Sequence, residues 1–102
     1  MSRVAVVTEG GTGIGLGHVM ESAHVISALD RLGIETSCLG YGPRPVRSVL
    51  DGLGVGVSSL TTRLGPETAA ALGRRIRRAG ARVVFCSVMR LEETTVTRLR
   101  AA

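Results

Sequence analysis

Short apolar runs with strand-forming composition alternate with longer segments of helical apolar spacing along the whole chain. The predicted strands are at residues 3–8, 36–39, 55–58 and 82–87. The predicted helices are at residues 18–32, 45–53, 66–79 and 91–101. This order requires parallel strands joined by right-handed crossovers, with helices on both faces of the sheet. The sequence therefore predicts an α/β fold with a parallel sheet of about four strands.

The best strand arrangement for this order is Rossmann-like, with the first strand between the second and the fourth. All 102 residues then form a single domain. Ligands of such sheets bind outside the carboxyl ends of the strands. That edge would bring together the loops at residues 10–18, 40–44, 58–64 and 87–90.

Composition excludes several kinds of protein. Hydrophobic residues make up 44% of the chain, but no apolar run reaches the roughly 20 residues of a membrane span. The start of the chain shows no signal-peptide pattern, so we expect a cytoplasmic protein. Cys38 and Cys86 lie in different predicted strands, and we expect both to be free, buried thiols. Their spacing does not suit a metal site, and neither a metal nor a cofactor is expected.

The basic charge comes entirely from arginine. All 13 basic residues are arginines, which gives a net charge of +5 against eight acidic residues. Without lysine the chain has neither a P-loop lysine nor a Tyr-x-x-x-Lys pair. The arginine run at residues 74–78 favours a solvated helix face, because a chain with two aromatic residues offers little for base stacking. No nucleic-acid partner is expected.

A glycine-rich segment joins the first strand to the first helix and ends at His18. Glycines allow close backbone approach to a ligand, and the start of a helix favours negative charge. This arrangement is typical of a phosphate or nucleotide-sugar site. The predicted substrate-binding residues are Glu9, Gly10, Gly11, Thr12, Gly13, Gly15 and Gly17.

His18 is the candidate catalytic residue, because a helix start favours the neutral imidazole that can act as a base. The alternative is that His18 caps its own helix. Glu9 can orient His18, bind a sugar hydroxyl or remain solvated. Arg44 and Arg47 can meet a phosphate or belong to a solvated turn, and His24 is expected on the surface.

Two dinucleotide-binding patterns fit this segment only in part. The third glycine of G-x-G-x-x-G is replaced by Leu16 or His18, depending on the register, and no acidic residue follows the second strand. The sequence VVTEGGTGIG also resembles the cofactor loop of short-chain dehydrogenases/reductases. Glu9 replaces the first glycine of that loop, however, and the family's lysine is absent.

The sequence GLGHVM, followed by a helix reaching LDRLGIET, resembles the N-terminal domain of GT-B-fold nucleotide-sugar enzymes. Similar segments occur in the UDP-sugar hydrolase of pseudaminic acid biosynthesis, in spore-coat polysaccharide proteins and in the peptidoglycan N-acetylglucosamine transferase. The resemblance covers about the first forty residues. One departure is Glu21, which stands where the hydrolase motif has arginine.

The resemblance implies the acceptor-side half of a glycosyltransferase or UDP-sugar hydrolase, with His18 as general base and the glycine-rich loop on the diphosphate or sugar. It also implies a second nucleotide-binding domain or chain. We therefore expect an incomplete N-terminal half that is inactive alone. Two alternatives remain: a non-catalytic Rossmann-like binding or partner module, or a truncated product; and a degenerate dehydrogenase-like fragment that binds NAD(P).

Overall fold

A four-stranded parallel sheet lies at the centre of the fold, in a computed structural model that describes residues 3–11, 13–43, 48, 50–52 and 57–102. The elements in chain order are β1 (Arg3–Glu9), α1 (Gly17–Arg31), β2 (Thr36–Tyr41), β3 (Val57–Ser59), α2 (Ala69–Arg78), β4 (Ala81–Ser87) and α3 (Glu93–Ala101). The strand order is β3-β2-β1-β4. The predicted α/β fold and the position of β1 between β2 and β4 are confirmed.

Strand pleating divides the core into two apolar layers, one on each face of the sheet. On one face, Ala5 and Val7 of β1 pack with Leu72 and Ile76 of α2. On the other face, Val6 packs with the buried side chains of Val19 and Ile26 from α1 and with Leu50, which follows β2. Because successive strand side chains point to opposite faces, one strand supplies both layers. Helices therefore cover both faces, as the sequence predicts.

Two helices begin later than their apolar spacing predicts. Residues 66–68 form a turn in which the Thr68 hydroxyl accepts a hydrogen bond from the Gly65 N–H at 3.0 Å, so α2 begins at Ala69. Glu92 is extended, with φ −86° and ψ 151°, so α3 begins at Glu93. Local hydrogen bonding and backbone conformation at these two starts therefore override the periodic pattern.

Two further elements are described only in part. The third strand is Val57–Ser59, and residues 55 and 56 of its predicted range lie outside the described residues. Within the predicted helix at 45–53, Ser48, Leu50 and Asp51 are helical, and residues 45–47, 49 and 53 lie outside the described part. Each helix in the described part of the chain is too short or too polar to cross a lipid bilayer.

The two cysteines are free and lie on opposite faces of the sheet. Cys38 of β2 pairs in register with Val6 and Cys86 of β4 with Val7, so β1 separates them. Burial raises the pKa of the Cys38 thiol to about 11 and also raises the pKa of Cys86. The prediction of free thiols is confirmed, although Cys86 is only half-buried.

We expect Gly73→Ala to destabilise the protein by about 1–2 kcal/mol, because a Cβ at Gly73 would lie 2.7 Å from Cβ of Ala102 and 2.8 Å from the backbone oxygen of Leu99. Alanine alone would favour the helix by about 0.5–1 kcal/mol, which is less than the usual cost of overpacking. Urea denaturation measures the change. Gly17→Ala is the matched control because nothing lies within 4 Å of its Cβ position. Equal stability of Gly73→Ala and the parent protein would contradict this packing.

Candidate functional site

The carboxyl ends of β1, β2 and β4 meet the start of α1 at one edge of the sheet. The N–H of Gly10, just after β1, donates to the Tyr41 carbonyl at the end of β2, at 3.0 Å. A cleft of about 590 Å³ opens beside this junction, and we call it the rim cleft. Its lining residues are Gly10, Gly13, Ile14, Tyr41, Gly42, Pro43, Leu60 and Arg63. This is the edge at which parallel α/β sheets bind ligands.

The glycine-rich turn closes on itself above the rim cleft. Gly11 and Gly15 exchange backbone hydrogen bonds of 3.0 and 2.7 Å. Both residues and Gly13 have φ between 81° and 119°, a region that strongly favours glycine. The N–H groups of Gly11 and Gly15 therefore donate within the turn. Fewer backbone N–H groups of the turn remain to bind a ligand. Gly10 and Gly13 line the cleft, while Thr12 lies outside the described residues.

The start of α1 leaves backbone donors free of side-chain caps. Gly17 is the first residue of α1, and no side chain hydrogen-bonds to cap the helix there. The first N–H groups of any helix have no partner within the helix. They carry a partial positive charge that favours an anion. The geometry is compatible with an anionic ligand at Gly17, and the role of Gly17 in binding one stays a prediction.

His18 belongs to a hydrogen-bonded group with Ser87 and Glu21, which we call the polar triad. Nδ1 of His18 lies 3.3 Å from Oγ of Ser87. The Ser87 hydroxyl donates to Oε1 of Glu21 at 2.6 Å. Ser87 is only 3% exposed, so its hydroxyl group is buried where it contacts His18 and Glu21. His18 therefore bonds to β4 rather than capping its own helix.

The polar triad determines which nitrogen of His18 holds the proton. A serine hydroxyl has one proton, and here it goes to the carboxylate of Glu21, which only accepts. The contact with Ser87 then requires Nδ1 of His18 to be the donor. In the neutral ring Nε2 is consequently unprotonated. His18 can accept a proton at Nε2, while Glu21 stabilises the resulting imidazolium through Ser87.

Glu9 is buried beneath the rim, which rules out the solvated state, one of the three alternatives for this residue. Its side chain is 2% exposed. Arg63 donates to both carboxylate oxygens, from Nε to Oε1 at 2.9 Å and from Nη2 to Oε2 at 2.7 Å. The Met89 N–H also donates to Oε2, at 2.8 Å. Both oxygens are thus occupied by this chain's own donors, and no hydrogen bond joins Glu9 to His18 among the described contacts.

These contacts hold the pKa of the Glu9 carboxyl below its ordinary value. The Arg63 hydrogen bond lowers the pKa most, burial opposes it, and the Met89 N–H and the charges of Arg63 and His18 lower it further. The same pair raises the pKa of Arg63. The Arg63 side chain is 44% exposed and lines the rim cleft. Glu9 therefore positions the guanidinium of Arg63 at the rim cleft.

Sequence reasoning did not identify Arg63, Ser87 or Glu21 as members of the site. The spacing of Glu21 could have indicated its role, because a residue three positions after His18 lies on the same helix face. The indication for Ser87 was weaker: it is the last residue of a strand that ends at this edge. Arg63 belongs to the loop at 58–64 that the sequence places at this edge, but nothing in the sequence distinguishes it from Arg44 and Arg90 in the other loops or pairs it with Glu9.

The remaining candidates lie away from the rim cleft or outside the described residues. His24 is exposed, as predicted, and the four arginines at 74, 75, 77 and 78 are exposed on α2. Arg44 and Arg47 lie outside the described residues. In the described part of the chain, no group of three His, Cys, Asp or Glu residues could hold a metal ion.

Comparison with known proteins gives no further assignment. No family model, curated protein or solved structure matches the chain. The chemistry of this edge therefore has to be inferred from its own residues.

We expect neutral His18 to be protonated at Nδ1, as the direction of the two Ser87 hydrogen bonds requires. The ¹⁵N shifts of the imidazole ring, measured in labelled protein, distinguish the two tautomers. Ser87→Ala removes the acceptor and should abolish this preference, whereas the exposed His24 provides an internal reference unaffected by the substitution. A predominant Nε2–H tautomer in the parent protein would contradict the arrangement.

We expect Glu9→Gln to lower the free energy of unfolding near neutral pH by about 1–3 kcal/mol, because charged hydrogen bonds to Arg63 are lost. A carboxyl whose pKa is lowered in the folded state stabilises the protein above its unfolded pKa. That contribution disappears as the pH falls through the lowered value, so Glu9→Gln should flatten the acid limb of the stability curve.

Urea denaturation at about pH 7 and about pH 3 measures this dependence. The matched control is Glu35→Gln, which removes an exposed ion pair with Arg3. The control should have a smaller effect near neutral pH because exposed pairs contribute little. Parallel stability curves for Glu9→Gln and the parent protein would show that the buried pair does not contribute as described.

Proposed function

We propose that this domain is the acceptor-side half of a GT-B nucleotide-sugar enzyme, either a glycosyltransferase or a UDP-sugar hydrolase. The polar triad is the observation that supports the proposal most. It holds Nδ1 of His18 through Ser87 and Glu21, which leaves Nε2 unprotonated in the neutral ring. His18 stands at the start of α1, at the same edge of the sheet as the rim cleft, although it is not among the residues that line that cleft. A histidine held in this way is suited to remove a proton from a hydroxyl group.

The proposed reaction uses His18 as general base. Nε2 takes the proton of an acceptor hydroxyl or a water molecule as that oxygen forms a bond to the anomeric carbon of the sugar. The bond from the anomeric carbon to the diphosphate oxygen breaks, and its electron pair leaves with the nucleoside diphosphate. Glu21, acting through Ser87, stabilises the positive charge that His18 gains.

The rim cleft supports the anionic side of this reaction. Uncapped N–H groups at the start of α1 and the guanidinium of Arg63 both favour a diphosphate at this edge. Without Arg63, the buried carboxylate of Glu9 would place an uncompensated negative charge under the ligand. The Glu9–Arg63 pair removes that repulsion, so Glu9 is compatible with a phosphate-containing substrate.

The proposal requires a second nucleotide-binding half, in another domain or another chain. GT-B enzymes hold the nucleotide mainly in that half, so we expect the 102-residue chain alone not to turn over a UDP-sugar. Free thiols in the described strands fit a reducing compartment, and we place the activity in the cytoplasm.

In the assembled enzyme, we expect His18→Asn to reduce turnover of UDP-N-acetylglucosamine by about 10²–10⁴-fold, the usual contribution of a general base. Its melting temperature should fall by only a few degrees, because the loss of one hydrogen bond costs about 1 kcal/mol. His24→Asn is the matched control: it changes an exposed histidine of the same helix and should leave turnover unchanged. A large loss of stability with near-normal turnover would show that His18 has a structural role instead.

Ligand binding distinguishes the alternatives. Isothermal titration of the chain, with and without its second half, compares UDP-N-acetylglucosamine with NADPH. Binding of the UDP-sugar that requires the second half supports the proposal. Binding of NADPH by the chain alone would replace it with the dehydrogenase-like alternative.

A further inference from the structure

A second cleft, of about 500 Å³, lies between the loop that precedes α2 and the start of α3, and we call it the α3 cleft. Loop residues 63–66 line one side of it, and the other side is lined by Met89, Arg90, Glu92 and Thr95. Arg63 also lines the rim cleft, and no other residue lines both. The α3 cleft is therefore a separate cavity that shares one side chain with the rim cleft.

Hydrogen bonds join the two sides of the α3 cleft. Nη1 of Arg98, on α3, donates to the Pro66 carbonyl oxygen at 2.7 Å. Oε2 of Glu9 accepts from the Met89 N–H at 2.8 Å and from Nη2 of Arg63 at 2.7 Å, so Glu9 ties together a residue from each side. The shape of the cleft is thus set by the fold, which lowers the cost of ordering it around a ligand.

The start of α3 offers backbone donors that the described part of the chain does not use. The first backbone hydrogen bond of the helix runs from the Val96 N–H to the Glu92 carbonyl oxygen, at 3.1 Å. No side chain caps the helix. The N–H groups of Glu93, Thr94 and Thr95 consequently have no acceptor among the described residues. These groups carry partial positive charge and favour an anion.

Thr95 is a second and independent indication of a ligand in the α3 cleft. The residue is only 2% exposed, and it lines the cleft. Its hydroxyl makes no hydrogen bond to any described residue. A buried hydroxyl normally has a partner, because leaving it without one costs free energy. Since helix side chains are tilted toward the N-terminus, this hydroxyl lies on the side of the free N–H groups.

The charged side chains at the α3 cleft leave room for an anion. Arg63 and Glu9 form a pair whose charges cancel. Arg90 and Glu92 lie 3.7 Å apart, and their side chains are 84% and 48% exposed. An exposed pair contributes little to stability, so an anion can replace the carboxylate of Glu92 beside Arg90 at small cost. Glu93 is exposed and does not line the cleft.

We propose that the α3 cleft binds the phosphate group of a small-molecule ligand. A phosphate has acceptor oxygens in several directions, which suits the N–H groups at the start of α3, the Thr95 hydroxyl and the guanidinium of Arg90. A carboxylate has only two oxygens and would leave part of this donor set without an acceptor. The volume of the cleft lies within the range of small-molecule sites, about 300–1,000 Å³. The inference does not depend on the proposed sugar chemistry.

The test uses inorganic phosphate as the probe and the ¹⁵N-labelled chain. Phosphate replaces chloride at constant ionic strength, which keeps the general attraction of anions to a chain of net charge +5 unchanged. We expect saturable shifts of the amide signals at residues 89–95. The signals of Gly17 and His18, at the start of α1, report separately on the anion site of the proposed function. A failure at one helix start therefore leaves the other to be judged by its own signals.

Substitution of Thr95 tests the buried hydroxyl. Thr95→Val keeps the shape of the side chain and removes a group that has no partner in the described part of the chain, so the melting temperature should not fall. Its affinity for phosphate should fall about tenfold, as expected for the loss of one hydrogen bond to a charged group. Thr97→Val is the matched control, since Thr97 is exposed on the same helix and does not line the cleft.

Substitution of the charged residues tests the sign of the ligand's charge. Glu92→Gln should strengthen phosphate binding about threefold, because the carboxylate no longer competes for Arg90, and Arg90→Gln should weaken it by about the same factor. Glu93→Gln is the matched control: it removes the same charge one position further on, outside the lining residues, and should change the affinity less than Glu92→Gln.

Several results would overturn the inference. Amide signals at residues 89–95 that do not move with phosphate would mean that the cleft binds no phosphate. Equal affinities of Thr95→Val and the parent chain would mean that the hydroxyl is not part of a binding site. Weaker binding by Glu92→Gln would mean that the carboxylate itself holds the ligand, which an anion does not allow. Acetate that binds as tightly as phosphate would assign the cleft to a carboxylate ligand instead.

Discussion

The burial of β1 between β2 and β4 is the constraint on which the rest of the structure depends. Its central residues are inaccessible on both faces, so each face requires a helical layer. Parallel pairing on both sides brings the ends of three strands to one edge, with Glu9 opposite Tyr41 and Thr8 opposite Ser87. The candidate site is a direct consequence of this pairing, because its members arrive from chain segments that meet only at the end of β1.

Two polar groups, the Glu9–Arg63 pair and the polar triad, lie at that strand end, and each stabilises a different charge. The Glu9–Arg63 pair neutralises a buried carboxylate and places the Arg63 side chain in the lining of the rim cleft. The polar triad orients His18 and gives its potential positive charge a nearby carboxylate. In the proposed function, the first group favours an anion at this edge and the second supplies the base. The proposed reaction combines them, because it removes a proton from a hydroxyl near a phosphate leaving group.

The sequence by itself determined the α/β class, the central position of β1 and the place of the glycine-rich turn, because these depend on periodic apolar spacing and local glycine conformation. It could not determine the partners of His18 and Glu9. Ser87 is 69 positions from His18, and Arg63 is 54 positions from Glu9. The starts of α2 and α3 and the α3 cleft were also decided by the folded structure. The sequence places Arg63 in a loop at this edge, but only the tertiary structure shows that it pairs with Glu9, because hydrogen bonds and packing between distant segments leave no periodic signal in the chain.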